Sequence, residues 1–181
     1  MEWSAIITIV LGSSLLGTIL NSLVSWYLKR SENSKISNYI AFKLAYLFEK
    51  FACTCLSAAE EHDLAVSSNN NAGEYLISVP EFPTLPEFEY KFFDLNLLDI
   101  IFDFPDQVTF ANESISFLFD VAGMDDGSKE AYESSLKLAR NSLSIANKIR
   151  LRYKLGQRSL SFGNYSVRDK INERIKNIKN P

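Results

Sequence analysis

The sequence predicts an all-α protein: one N-terminal transmembrane helix followed by a cytoplasmic bundle of four or five helices. Three observations carry that reading. Trp3 to Leu28 contains no charged residue, apolar residues recur at spacings of three and four through most of the chain after residue 35, and clusters of turn-forming residues cut that second pattern into helix-sized pieces. No strand-pairing signal competes with them.

The first element is the run Trp3–Leu28, rich in Ile, Leu and Val. At helical rise it extends roughly 39 Å, enough to cross a hydrocarbon core of about 30 Å with some tilt. Trp3 stands at one end and Trp26 with Tyr27 at the other, where amphipathic rings settle at the two faces of a bilayer. A cleaved signal peptide fits less well, because Glu2 sits at the start and Trp26-Tyr27-Leu28 occupies the place of a small-residue cleavage site. Lys29, Arg30, Lys35 and Lys43 follow the run closely, so the positive-inside rule predicts a cytoplasmic C-terminal domain and an external N-terminus. Residues 1–30 are thus expected to form an anchor with a basic flank, and 31–181 the bundle.

Ser13, Gly17, Asn21 and Ser25 recur every four residues and give the predicted span a small, polar side. Such a stripe lets another helix approach closely in lipid, with Asn21 available to hydrogen-bond across the contact. Self-association or docking on another membrane protein is the functional expectation; scattered small residues that are common in any span are the plain alternative.

After a polar piece at 31–34, the residues Ile36, Ile40, Leu44, Leu47, Phe51 and Cys55 predict an amphipathic helix over about 35–64, broken by Ser67-Ser68-Asn69-Asn70-Asn71-Ala72-Gly73. A Pro-rich loop follows at about 67–93. Pro80, Pro83 and Pro86 alternate with Phe82, Leu85 and Phe88, as in a polyproline II ligand or, preferably, a stiff strap held down by its aromatics.

Asp94 is the expected N-cap of a helix running to about Phe104, where Pro105 should end or kink it. The pattern resumes at Val108 and stops at Gly123 and Asp126-Gly127. Ser128 is the expected cap of a long helix that ends near Gly156. Ser166-Val167-Arg168-Asp169 reads as a capping box that opens a basic last helix over about 166–179.

The formal net charge of −3 conceals a segregation. Residues 60–133 hold two Lys/Arg against seventeen Asp/Glu, whereas 134–181 hold twelve against two. Arg150, Arg152, Lys154, Arg168, Lys170 and Arg174 are the basic residues expected to contact either the acidic segment or an anionic membrane surface. The intramolecular pairing is preferred because both signs share one domain. Nucleic acid ranks last as a partner, for want of a recognised binding motif.

The order of a span with a basic flank, a helix, Val79-Pro80-Glu81-Phe82-Pro83, Phe104-Pro105-Asp106 and a basic C-terminal helix resembles uncharacterised bacterial single-pass membrane-anchored helical proteins. The resemblance implies a bacterial inner-membrane location; it implies no activity, and no functional residue carries over.

Residue types that do chemistry are present without the patterns that chemistry needs. His62 is the single histidine, expected to be solvated near a helix end. Cys53 and Cys55, two apart on a helix, point to different sides and cannot both join His62 on one ion; they are expected as packing residues. Asp99, Asp103, Asp106, Glu113 and Asp120 lack the companions of a di-metal or EF-hand site and are expected as a solvated acidic face. No catalytic set, cofactor or metal site is therefore expected. The functional expectation is a membrane-anchored, non-enzymatic scaffold or sensor; the alternative is an oligomerising, membrane-disrupting effector or toxin, of a kind used in bacterial defence.

Overall fold

The structure, a computed structural model, describes residues 3–88 and 90–179 and, of these, all side chains but those of 3–17, 19, 20, 92 and 179. It is all-α, with four helices: α1 (Trp3–Ser67), α2 (Leu95–Ala122), α3 (Met124–Arg152) and α4 (Val167–Lys179). The strands β1 (Ser161–Phe162) and β2 (Tyr165–Ser166) pair antiparallel just before α4.

Among the described residues no helix is long and apolar enough to cross a membrane, so the expected transmembrane helix is not borne out. Most of Trp3–Leu28 falls on residues whose side chains lie outside the description.

Helix α1 runs without interruption through 31–34, where a polar break was expected. Ser31, Glu32, Asn33 and Ser34 cost a helix only tenths of a kcal/mol each, and neither Gly nor Pro stands among them. The Ser37 hydroxyl also donates back to the Asn33 carbonyl at 2.9 Å, inside the helical ladder. From Ile40 onward the helix is the spine of the core, with Leu44, Phe48, Phe51, Ala52 and Leu56 essentially inaccessible. It ends where Asn69 and Asn70 take left-handed φ values of 51° and 64°, which asparagine tolerates better than most residues.

The Pro-rich segment is a strap. Phe82 enters a ring cluster with Phe48, Phe51 and Phe104 at centroid distances of 5.0, 5.2 and 5.1 Å. The Asn112 amide clips the strap at two points: its Oδ1 accepts from the Val79 N–H at 2.7 Å and its Nδ2 donates to the Val79 carbonyl at 3.1 Å. The apolar face that a groove-shaped partner would need is thereby occupied.

Asp94 caps α2 as expected, its Oδ1 accepting from Asn96 N–H (3.1 Å) and Leu97 N–H (3.3 Å). Pro105 does not end the helix, which continues to Ala122. A mid-helix proline costs about 3 kcal/mol. Burial of Ile101 and Phe104 on one side of it, and of Val108 and Ile115 on the other, offsets that cost.

Helix α3 starts at Met124, four residues before the expected cap Ser128. Gly123, with φ 90°, is the whole connection between α2 and α3, and the Asp126-Gly127 pair lies inside the helix. Gly127 is there for room: a Cβ on it would sit 2.6 Å from the Phe119 ring of α2. Helix α3 is the hub of the bundle and packs on α1, α2 and α4.

Ser166 caps α4, accepting from the Asp169 N–H at 3.4 Å. The β-ribbon before it was not anticipated, although Gly163-Asn164 between Phe162 and Tyr165, with Gly163 at φ 57°, is a hairpin turn signal.

Candidate functional site

The four positions of the small-residue stripe divide between two cases. Ser13 and Gly17 lie outside the described side chains, whereas Asn21 and Ser25 are exposed on α1. Beside them Leu23, Val24, Trp26, Tyr27 and Leu28 are also exposed, each by more than half, and line a shallow apolar depression. Arg30 lies over the Trp26 ring at 5.2 Å. Among the described residues this stretch of α1 has no packing partner, while the same helix thirty residues on is core.

The basic residues turn mostly inward. Arg150 on α3 is buried and forms a two-pronged pair with Glu49 of α1, Nε to Oε1 at 2.5 Å and Nη2 to Oε2 at 3.0 Å. Its Nη1 also donates to the Gly156 carbonyl at 2.7 Å, and Arg158 approaches the same Glu49 at 3.4 Å. Arg152 pairs with Asp94 at 2.8 Å, which helps hold the Asp94 carboxyl below its ordinary pKa after the larger effect of the Leu97 N–H. Arg174 of α4 reaches Asp63 at 2.9 Å and Glu60 at 3.7 Å. Among the described residues Lys170 pairs with Glu173 of its own helix, at 3.7 Å. Lys154 and Arg168 are exposed and form no ion pair among the described residues. Intramolecular neutralisation therefore describes Arg150, Arg152 and Arg174; the pairing is largely with α1, including Glu49, which precedes the acidic segment.

At the end of the bundle far from the exposed stretch, His62 departs from the expected solvated position: it is 9% exposed. Ala41, Phe48, Cys55 and His62 are seven apart on α1 and all buried, so the core-facing stripe simply extends to the imidazole. The ring packs against Tyr132 and Tyr75 at 5.0 and 5.6 Å. Its Nδ1 accepts the Leu76 N–H at 3.2 Å, with the Ser128 hydroxyl 3.4 Å from the same nitrogen. Burial lowers its pKa from the ordinary value, opposed by the neighbouring Asp63 carboxylate. His62, Tyr75, Ser128, Lys129 and Tyr132 line a cavity of about 410 Å³. Tyr132 also walls a second one of about 380 Å³, toward Asp63, Lys170 and Arg174. Burial and then the Asp63 charge push the Tyr132 phenol up to about 12. No sequence motif marks this cluster; the seven-residue spacing on α1 was the one readable sign.

These groups do not form an activated nucleophile. The Nδ1 lone pair already holds a backbone N–H, and the Ser128 hydroxyl at 3.4 Å is long for proton transfer. Burial raises both cysteine thiols, leaving them weakly nucleophilic. Cys55 is in the core and Cys53 half-buried against it. Among the described residues no three His, Cys, Asp or Glu side chains come together as a metal site would need. Asp99, Asp103, Asp106, Glu113 and Asp120 are all exposed on α2.

Comparison with known proteins finds no matching family model, and neither a curated protein nor a solved structure matches the chain.

Proposed function

We propose that the protein is a membrane-anchored, non-enzymatic adaptor or scaffold that holds its helical bundle close to a bilayer and presents it to partner proteins. The observation that carries this reading is the unpartnered apolar stretch Leu23–Leu28, which ends an uncharged run and belongs to the same helix as the core residues Leu44 and Phe48. An apolar helix without a protein partner is accounted for by lipid, and Trp26, Tyr27, Lys29 and Arg30 are residues suited to a bilayer interface. The positive charge of Lys29 and Arg30 beside that stretch supports a bundle on the cytoplasmic side.

Carbonate extraction of membranes from cells expressing the full chain tests the anchor. Retention in the pellet, lost when Leu16→Arg and Leu20→Arg are combined, is the expected outcome; release of the unaltered chain into the supernatant would sink the proposal. A membrane-impermeant thiol label should reach a cysteine introduced at residue 2 in intact cells.

Exposed Asn21 and Ser25, four apart on α1, favour assembly of the span with itself or with another membrane helix. Crosslinking in native membranes, with Asn21→Leu as control, reads that contact. Loss of membrane potential on assembly would shift the reading to a membrane-disrupting effector.

A further inference from the structure

The outward side of α2 carries exposed apolar residues interleaved with carboxylates. Its core side carries Leu97, Leu98, Ile101, Phe104, Val108 and Ile115. On the opposite side stand Leu95, Phe102, Phe110, Phe117 and Val121, between 46% and 79% exposed. Leu95 and Phe102 are seven apart, and so are Phe110 and Phe117, while Phe102 and Phe110 are eight apart, so the two pairs are offset by one residue. Phe102 also packs edge-on against the Tyr90 ring at 5.3 Å, and Phe110 and Phe117 are the more exposed. The carboxylates keep the seven-residue interval throughout, at Asp99, Asp106, Glu113 and Asp120. At about 100° per residue these apolar residues and carboxylates all fall within a sector of about 100°, so they share one face over roughly 40 Å.

Exposed aromatics are unfavourable in water and normally mark an interface when they run contiguously. An exposed helix face that mixes apolar residues with charge of one sign suits an amphipathic helix carrying the opposite charge. Between Leu95 and Ala122 there is no Lys, Arg or His, so every charge that α2 itself contributes to this face is negative.

We propose that the outer face of α2 is a docking surface for a basic amphipathic helix of a partner protein, one that places apolar residues against Phe102, Phe110 and Phe117 and Lys or Arg opposite the four carboxylates. An anionic lipid surface is repelled by the same charges. A second copy of this chain is a poor occupant, because its basic helix α4 already buries Val167, Ile171 and Ile175 in its own core. The site names the chemistry of a partner for the adaptor above and rests on that reading for its role, while the binding itself needs no membrane. Failure of the anchor is read by extraction and failure of this face by titration.

The test uses the purified full chain in detergent and a labelled 28-residue designed peptide, with leucine at the heptad core positions and lysine flanking them. Saturable binding is expected, weakened about tenfold or more by Phe110→Lys with Phe117→Lys, and weakened by added salt. Asp106→Lys with Glu113→Lys should lose the lysine peptide and gain its glutamate counterpart, a gain that misfolding cannot produce. Equal binding of a scrambled peptide, or unaltered binding by the phenylalanine variant, would overturn the proposal. So would self-association of the full chain that the phenylalanine variant abolishes, which would assign the face to a second copy.

Discussion

Residues seven apart line two faces of this molecule, and the two faces have opposite fates. Between α1 and α3 the series is Phe48, Cys55 and His62 against Ser142, Ser135 and Ser128, every one of them buried. The Ser142 hydroxyl donates to the Phe48 carbonyl at 2.6 Å at one end, and Ser128 approaches His62 at the other. On α2 the series is phenylalanine and carboxylate, and it faces solvent. Periodicity alone thus does not say where a helix finds its partner. Residue size does: Ala45, Ala52 and Ala59 beside the buried seam allow two backbones to approach. Large rings bordered by unpaired charge cannot be closed over by a small bundle without burying the charge as well.

The largest break in this comparison comes from unlocking the seam. Arg150→Ala leaves Glu49 buried with only the more distant Arg158, and removing one partner of such a pair costs about 3–5 kcal/mol, a fall in melting temperature of roughly 10 °C. The double variant Glu49→Leu with Arg150→Met should lose far less than the two single changes together. Next comes Gly127→Val, which drives a side chain into the Phe119 ring and should cost about 1–3 kcal/mol by denaturant titration.

The seam also sets a pH dependence. Protonated His62 would turn its Nδ1 acceptor toward the Leu76 N–H as a second donor. Because burial lowers the folded-state pKa below 6.5, the unfolded chain binds more protons in the window between the two values. Stability should therefore fall as pH drops through 6.5 toward the folded-state value, and His62→Gln should flatten that slope of melting temperature against pH.

Smaller still is Ser135→Ala. The Ser135 hydroxyl is buried without a hydrogen-bond partner among the described residues, and removing it should stabilise the protein by about 1 kcal/mol. Smallest is Phe117→Lys on the outer face, which should leave stability within about 0.5 kcal/mol; a loss comparable to Gly127→Val would show that the ring supports the bundle after all.

What could be read from sequence was what depends on near neighbours. The Asp94 and Ser166 caps, the α1 stripe from Ile40 through Leu44 and Phe51 to Cys55, and the aromatic strap at Phe82 are all local patterns that appear where they were expected, whereas Ile36, expected on that stripe, is exposed. What escaped depends on contacts far along the chain. Pro105 stays helical because the turns on both sides of it are buried, and Gly127 lies mid-helix because Phe119 needs the space. Glu49 and Arg150 find each other across 101 residues with no motif in between. His62 was misplaced for a different reason, since its polarity was weighed above the seven-residue register that carries it inward.

The continuity of α1 has a consequence for phase. Each residue of a helix turns its successor by about 100° and raises it about 1.5 Å, so the bundle is geared to whatever grips the first residues of the shaft. One alanine inserted between Arg30 and Ser31 would swing the docking face of α2 by more than a quarter turn about the shaft and lift it scarcely at all. Seven would lift it by about 10 Å and return it almost to its starting azimuth. Function that depends on the direction in which α2 points should fail with the first insertion and recover with the second; function that depends only on reach should do neither.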